Sequence, residues 1–328
     1  MWKFVPATMK VLGVALLTLH VSAHAQGAAA TYPNKPIRFV VAFAPGGATD
    51  ILARVVATQL SKDLGHQVIV ENKAGASGVI AVETVLKAQP DGYTVLVGGS
   101  SPMVFNHIVF AKLPYKPQDI TPVTILGSYP LVIAARKDLP AKTFSEVIAL
   151  AKTRKPSLSY GHPGPAWQLQ MDYLNQQLGL EMLSVQYKGA GPAALGMMSG
   201  DTDLLASDTA TIVPMHKDGR AVAVAVTTKK RNPALPDVPT VAEVTGKKDF
   251  ETSAFAALGV HHATSPEIVL KLQQAVAKAL QAPEVKEQFT RLGIEAEGNS
   301  PAESAARINR EIQLYTAIAE TSGLKGTQ

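Results

Sequence analysis

The sequence predicts an α/β fold of two lobes, each with a mainly parallel sheet, and three observations support this. The chain has 328 residues, and at ~100–200 residues per domain this length fits two domains better than one. Hydrophobic residues make up 46% and charged residues 17%, which is typical of a globular chain and unlike a disordered one. Short apolar runs alternate with amphipathic stretches, which indicates strands covered by helices on both faces.

The first series of elements lies in the first hundred residues. An apolar run rich in β-branched residues ends at Pro45-Gly46-Gly47, and hydrophobic residues then recur at helical spacing from Ile51 to Leu60. A second glycine pair, Gly98-Gly99, ends a later strand. The predicted elements are strands at 37–43, 68–70 and 94–97 and helices at 51–62 and 79–88.

A long apolar passage at 123–135, interrupted by Gly127 and Pro130, has no helical face. We expect it to carry the chain from one lobe to the other, with the hinge at 126–134 and in the segment between residues 221 and 258. The expected lobes are residues 32–128 with 250–328 (lobe 1) and residues 129–249 (lobe 2).

A second α/β series follows. Thr143-Phe144-Ser145-Glu146 is a capping box that opens a helix. Ser265-Pro266 and Ser300-Pro301-Ala302-Glu303 begin two more helices, each with an apolar face. Strands are predicted at 158–160, 183–187, 202–206 and 221–227.

Residues 1–25 resemble a secretory signal peptide. Lys3 and Lys10 give the positive start, the apolar stretch 11–21 follows, and Ala23-His24-Ala25 gives the cleavage pattern, with cleavage expected after Ala25. The apolar stretch is too short for a bilayer, which needs ~20 residues. A buried N-terminal helix remains the alternative, and the favoured prediction is export to the periplasm.

Charge and cysteine content exclude several classes of function. Without the two lysines of the leader, the formal charge falls from +5 to +3, which gives no support for a nucleic-acid partner. The chain has no cysteine, so disulfides, thiolate nucleophiles and cysteine metal sites are excluded.

The stretch Ala44-Pro45-Gly46-Gly47-Ala48-Thr49-Asp50 is the most informative in the chain. It joins a buried strand to a helix, so it lies where ligands of α/β sheets bind, and the N–H groups of the helix N-terminus favour an anion. A plain turn with an aspartate cap fits the spacing equally well. Because Asp50 repels a carboxylate, a ligand that carries a carboxylate and a cationic or hydroxyl group fits best.

The stretch Tyr187-Lys188-Gly189-Ala190-Gly191-Pro192-Ala193-Ala194 repeats this arrangement in the second lobe. Its glycine spacing matches a dinucleotide fingerprint, but no acidic residue stands convincingly at the expected distance, so no nucleotide cofactor is predicted. Lys188 adds a charge that is either part of the site or simply solvated. Ser100 and Ser101 follow another strand and offer further hydrogen-bond donors.

Catalytic and metal-binding patterns are weak. No G-x-S-x-G is present. His261-His262 lie next to each other and are expected on opposite faces of a strand, so no metal site is predicted. His162, in a loop of glycine and proline, is either a ligand contact or a surface histidine. Tyr129 is expected to be a core or cleft aromatic.

Several longer motifs together resemble the periplasmic solute-binding proteins of tripartite tricarboxylate transporters, the Bug family. They are Tyr32-Pro33-Asn34-Lys35-Pro36-Ile37, Pro45-Gly46-Gly47-Ala48-Thr49-Asp50, Leu113-Pro114-Tyr115 with Asp119-Ile120-Thr121-Pro122-Val123, Tyr187-Lys188-Gly189-Ala190-Gly191-Pro192, and Pro233-Ala234-Leu235-Pro236-Asp237-Val238-Pro239-Thr240-Val241-Ala242-Glu243. The resemblance covers nearly all of the chain after the leader.

This resemblance implies a two-lobed binding protein of the type II, Venus-flytrap kind, without catalytic activity. It implies that the loops at 44–49 and 188–192 grip a ligand carboxylate through backbone groups and ordered water, and that Asp50 recognises the ligand's other polar group. The chain departs from the family at Gly161-His162-Pro163-Gly164-Pro165-Ala166-Trp167-Gln168, where the loop is about two residues shorter and Gln168 replaces a histidine.

The expected function is capture of a small carboxylate between the lobes and its delivery to membrane transporter subunits by a monomer without cofactor or metal. Two alternatives stay open: an exported enzyme with Asp50 as general base, and a sensor module with a receptor partner. The candidate ligand-binding residues are Ala44, Pro45, Gly46, Gly47, Ala48, Thr49, Asp50, Ser100, Ser101, His162, Gly164, Tyr187, Lys188, Gly189, Ala190, Gly191 and Asp208.

Overall fold

The computed structural model describes residues 31–327, which form two β-sheets covered by helices. The signal peptide predicted at 1–25 lies outside the described residues. Within them, no helix is both long and apolar enough to cross a membrane.

The larger sheet has six strands in the order β11-β4-β10-β3-β1-β2. Its strands are β1 (Ile37–Val41), β2 (Val68–Asn72), β3 (Thr94–Gly99), β4 (Ile120–Pro130), β10 (Ser253–His261) and β11 (Glu295–Ala296). Strand β1 pairs in parallel with β2 and β3, whereas β10 runs antiparallel to β3 and β4.

The smaller sheet has five strands in the order β7-β6-β8-β5-β9. They are β5 (Val132–Arg136), β6 (Ser159–His162), β7 (Leu183–Gln186), β8 (Leu204–Ser207) and β9 (Ala221–Val226). Strand β6 is parallel to β7 and β8, and β5 is antiparallel to β8 and β9.

Eleven α-helices cover the sheets in the described part of the chain. They are α1 (Ala48–Leu64), α2 (Val79–Leu86), α3 (Asn106–Val109), α4 (Phe144–Thr153), α5 (Pro165–Leu178), α6 (Ala190–Ser199), α7 (Thr209–Lys217), α8 (Val241–Thr245), α9 (Pro266–Leu280), α10 (Pro283–Arg291) and α11 (Pro301–Ser322).

Each sheet is buried on both faces, because successive side chains of a strand enter different hydrophobic clusters. In β1, Phe39 and Val41 pack in the cluster beneath α1 and α9, and Val40 packs in the cluster beneath α2 and α11. In β5, Ile133 packs in one cluster of the smaller sheet and Val132 packs in the other. The near-continuous apolar strands therefore predicted the layers correctly.

The α/β fold with two sheets is confirmed, but the sheets are mixed rather than mainly parallel. The reason is the path of the chain. Strand β4 leaves the larger sheet at the end where β10 enters it, so these two neighbours must run in opposite directions. Strand β5 brings the chain into the smaller sheet and β9 leads it out, so these two neighbours also run in opposite directions. Strand β5 is antiparallel to β8 as well.

The apolar passage predicted at 123–135 consists of β4 and β5, with Leu131 between them. The chain thus passes from the larger to the smaller sheet at Leu131 and returns between β9 and β10. The lobe limits drawn from the sequence remain a proposal. Sequence patterns missed β10 as a separate strand, and they missed the π-helical turn Ser101–Phe105 and helix α10.

One buried threonine joins the two crossings. The Thr227 hydroxyl lies 3.1 Å from both the N–H and the carbonyl oxygen of Leu131, and 2.8 Å from the carbonyl oxygen of Thr252. The Thr252 N–H donates back to the Thr227 carbonyl at 3.0 Å. We call Leu131, Thr227 and Thr252 the crossing contact, because they join the two segments that cross between the sheets.

Candidate functional site

The loop between β1 and α1 is the first part of the site predicted from sequence. Its residues 44–47 are exposed, and Ala48, Thr49 and Asp50 are buried in the first turn of α1. Gly46 has φ +88°, a left-handed conformation that glycine adopts without steric cost. The loop thus presents backbone groups to solvent at the carboxyl end of β1, as predicted.

Asp50 holds this loop in place. Its Oδ2 accepts hydrogen bonds from the Gly46 N–H at 2.9 Å and from Arg54 Nε at 3.1 Å. Its Oδ1 accepts from Asn72 Nδ2 at 2.8 Å and lies 3.0 Å from Arg54 Nη2. Each oxygen therefore has two donors, which fills the lone pairs of the carboxylate.

The surroundings of Asp50 keep it ionised. Burial alone raises the pKa of its carboxyl, but the hydrogen bonds from Arg54, Gly46 and Asn72 outweigh burial and hold the pKa below its usual value. The expected contact between Asp50 and a ligand is not supported by this geometry, because the side chain is 3% exposed and its acceptors are occupied.

Three helix N-termini in the site have no side-chain cap. The described chain has six helices of ten or more residues, and α4, α9 and α11 are capped by Thr143, Ser265 and Ser300. The other three, α1, α5 and α6, begin after Gly47, Gly164 and Gly189, and no side chain caps them. Their first-turn N–H groups are thus left for another acceptor.

The second of these N-termini is supported by His162, which ends β6 and is fully buried. Its Nδ1 lies 2.9 Å from the Gly164 carbonyl oxygen, and its Nε2 lies 2.8 Å from the Ser184 hydroxyl. Because a carbonyl only accepts, Nδ1 carries the proton and Nε2 accepts from Ser184. Burial lowers the pKa of His162 to about 4, so the ring is neutral at pH 7.

His162 was expected to be either a ligand contact or a surface histidine. The second reading is wrong, because its ring is buried against the loop. The first remains untested, although both ring nitrogens already have protein partners.

The ring of Tyr187 packs against α6, the third of these helices. A Cβ on Gly196 would lie 2.3 Å from the Tyr187 hydroxyl, and a Cβ on Gly161 would lie 3.1 Å from the ring. The ring therefore packs between β6 and α6, where a side chain at Gly196 would collide with it and one at Gly161 would be tight. Lys188 is exposed, and Gly189, Ala190 and Gly191 form the turn into α6; as ligand contacts these residues remain predictions.

Ser100 has a structural partner, since its hydroxyl accepts a hydrogen bond from the Phe255 N–H at 2.9 Å. Ser100 is buried, and Ser101 begins the π-helical turn and is partly exposed. Of the two serines, Ser101 is the better placed to meet a ligand.

The structure also brings Tyr129 into the site, which sequence reasoning assigned only to the core or the cleft. Tyr129 lies near the end of β4, its hydroxyl is hydrogen-bonded to Thr49, and it is close enough to Asp208 for the carboxylate to act on its titration. Burial raises the pKa of Tyr129, and the charge of Asp208 raises it further. A tyrosine at the end of a strand that leads into the second sheet was the signal available in the sequence.

Asp208 is the half-buried N-cap of α7, at the end of β8. Its carboxylate accepts from the Thr211 N–H at 2.9 Å. Burial raises its pKa, although hydrogen bonds from Thr211 and Ala210 offset part of the effect. We call Thr49, Tyr129 and Asp208 the polar cluster, because the Tyr129 hydroxyl is hydrogen-bonded to Thr49 and the charge of Asp208 raises the pKa of Tyr129.

A cavity of about 1050 Å³ lies elsewhere, beside the crossing segments, and none of the sequence-predicted residues lines it. Residues 31–327 hold no group of three histidine or acidic side chains placed to bind a metal. The rings of His261 and His262 stack with centroids 4.6 Å apart, so the expectation that they diverge was wrong: the strand ends at His261 and the backbone turns there.

A family model described as the tripartite tricarboxylate transporter family receptor matches residues 52–324. Among individual proteins, a UPF0065 protein of Agrobacterium vitis is 36% identical, with 94% of this chain and 90% of that protein covered. The protein BugT of Bordetella pertussis is 31% identical, with 97% and 98% covered.

Solved structures agree in fold. An R. palustris protein with adipate has a TM-score of 0.81 and 32% identity, covering 89% of this chain and 98% of its own. MatC from Rhodopseudomonas palustris, with bound malate, has a TM-score of 0.76 and 31% identity, covering 88% and 99%. The periplasmic binding protein BugD has a TM-score of 0.76 and 31% identity, covering 90% and 99%.

Proposed function

Because the chain belongs to the tripartite tricarboxylate transporter receptor family, we propose that it captures a small carboxylate between its lobes and presents it to the membrane subunits of such a transporter. Receptors of this family are periplasmic solute-binding proteins, and two relatives of known structure were solved with adipate and with malate. The signal peptide at 1–25, the lobe limits and a monomeric state belong to the same proposal.

The three uncapped N-termini of α1, α5 and α6 carry this proposal. A carboxylate that reaches them accepts hydrogen bonds from N–H groups that have no side-chain partner, at the positive end of each helix dipole. Since α1 packs on the larger sheet and α5 and α6 follow strands of the smaller one, one anion bound by both sides favours closure of the lobes.

The polar cluster of Thr49, Tyr129 and Asp208 suits the other end of the ligand. The Asp208 carboxylate accepts a hydrogen bond from a hydroxyl or ammonium group and repels a second carboxylate while it is ionised. We therefore propose that hydroxy- or amino-substituted carboxylates bind more tightly than unsubstituted dicarboxylates of the same length. Asp208 takes over the selective role that the sequence suggested for Asp50.

The chain has no catalytic role in this proposal. The enzyme alternative needed Asp50 as a general base, but its oxygens are filled by four donors and its pKa is held low, so it is a poor proton acceptor.

Calorimetric titration of the purified protein tests the proposed function. The panel contains succinate, malate, aspartate, adipate and benzoate, and circular dichroism shows that the protein is folded. We expect heat from at least one carboxylate, with malate or aspartate bound more tightly than succinate. Folded protein that binds none of the panel would contradict the proposal, and release of a chemically altered ligand would favour the enzyme alternative.

A further inference from the structure

We propose that the cavity beside the crossing segments is a second binding site, which takes a small polyanion. Its volume, about 1050 Å³, reaches the upper end of the ~300–1,000 Å³ that is usual for small-molecule sites. It lies at the β11 edge of the larger sheet, and its lining includes no residue of the N-termini of α1, α5 and α6. It is thus separate from the carboxylate site proposed above.

The walls of this cavity come from two parts of the chain. One wall is residues 228–233, which follow β9, together with residues 251–253, where β10 begins. The other wall is formed by α10, β11 and α11. A molecule bound here touches the segment that returns from the smaller sheet and the helices of the larger sheet at the same time.

Six cationic side chains line the cavity, and carboxylates already neutralise three of them. Lys229 pairs with Glu251 at 3.6 Å, Arg231 with Glu243 at 2.9 Å, and Arg307 with Glu297 at 2.8 Å and Glu311 at 2.9 Å. These three cations are paired with carboxylates of the protein, so they are not available to a ligand.

The other three cations are available to pair with a negatively charged ligand. Lys230, Lys286 and Arg310 line the cavity and form no salt bridge with any residue of the described chain. Glu295 is the acidic lining residue that is likewise without a salt bridge there. Because Arg307 is paired with two carboxylates, the cations at the cavity exceed the carboxylates by one. Lys230 lies on one wall, and Lys286 and Arg310 lie on the other, so an anion with more than one charged group can pair with both walls.

Titration calorimetry with fructose 1,6-bisphosphate as the probe tests the site, and uncharged fructose is the matched ligand control. We expect the bisphosphate to bind, fructose to give no heat, and binding to weaken as sodium chloride is raised. The combined variant Lys230→Ala, Lys286→Ala and Arg310→Ala should bind the probe about tenfold more weakly, because each exposed ion pair contributes little alone and all three are lost together.

The matched protein control is Lys62→Ala, Lys137→Ala and Lys217→Ala, which removes the same charge from surfaces outside the cavity. Absence of probe binding, or equal weakening in the two triple variants, would overturn the proposal. Displacement of the probe by a carboxylate that occupies the cleft would overturn it too. The carboxylate titrations are separate, so a failed second site leaves the proposed function intact and the reverse also holds.

Discussion

At the scale of single residues, the pKa values of two ionisable groups of the candidate site shift in opposite directions. His162 is neutral, its ring binds a carbonyl and a hydroxyl, and its pKa falls to about 4. Burial raises the pKa of Asp208 above that of an ordinary aspartate. The first residue shapes a helix N-terminus, and we propose that the second restricts which groups a bound ligand can carry.

Asp208→Asn is expected to reduce the preference for malate over succinate. The amide keeps an oxygen for the Thr211 N–H but removes the charge that repels a second carboxylate. Succinate should bind about tenfold more tightly than to the wild type, because removal of a close like charge is comparable to ~1 kcal/mol or more. Malate should gain less, and calorimetry on both ligands measures the difference. An unchanged ratio of the two affinities would show that Asp208 does not face the ligand.

His162→Ala should lower the free energy of unfolding by about 1–3 kcal/mol at pH 7, because the Gly164 carbonyl loses its donor inside the protein. His162→Asn, whose amide can replace the Nδ1–H donor, is the matched variant and should lose less. Urea unfolding followed by circular dichroism measures both. Equal losses would show that the effect comes from lost packing alone.

The pKa of His162 also predicts how stability depends on pH. Protonation of His162 is unfavourable in the folded protein, whereas in the unfolded chain this histidine is protonated below pH ~6.5. Stability is therefore lost as the pH falls from 6.5 toward 4. Between pH 7 and 5 this histidine should account for a loss of about 2 kcal/mol. His107, whose pKa burial also lowers to about 4, adds a loss in the same range. The stability of His162→Asn should therefore change less with pH than that of the wild type.

At the scale of secondary structure, the glycines before α1, α5 and α6 leave the helix N-termini available to a ligand. Gly47 has φ −78° and ψ 165°, which any residue can adopt, and its Cβ position has only one neighbour, 3.9 Å away. Glycine is therefore not required there by the backbone. A side-chain cap would fit the position, but it would compete with the ligand.

Gly47→Asp should raise the stability of the protein and lower its affinity for the carboxylate. The aspartate caps α1 and adds a few tenths of a kcal/mol to the free energy of unfolding, while its charge weakens carboxylate binding by about tenfold or more. Ser265→Asp is the matched control, since it adds the same charge at the already capped N-terminus of α9. Calorimetry and urea unfolding measure the two effects. Unchanged carboxylate affinity in Gly47→Asp would remove α1 from the site.

The glycine loops could be predicted from sequence because they are local patterns: a strand, a glycine turn and a helix follow one another along the chain. The partners of Asp50 and His162 could not, since Asn72 and Ser184 are 22 residues away from them and meet them only through sheet pairing. The mixed direction of the sheets was missed for a similar reason, because it depends on where the chain crosses between them.

At the scale of the whole molecule, ligand capture should bring the two lobes together. The chain has no cysteine, so Lys62→Cys with Lys217→Cys creates two label sites without background. These exposed residues lie near the ends of α1 and α7, on the two proposed lobes. The distance between spin labels should shorten when the best carboxylate of the panel is added, and a ligand of the panel that does not bind is the control. An unchanged distance at saturation would contradict closure.

The crossing contact limits how the two proposed lobes can move. Leu131 lies on the outward path of the chain, Thr227 and Thr252 lie on the return path, and one hydroxyl contacts both paths. Because the two paths are hydrogen-bonded to each other there, we expect them to bend together. The proposed closure is then mainly a rotation about this point, with little sliding of one lobe past the other.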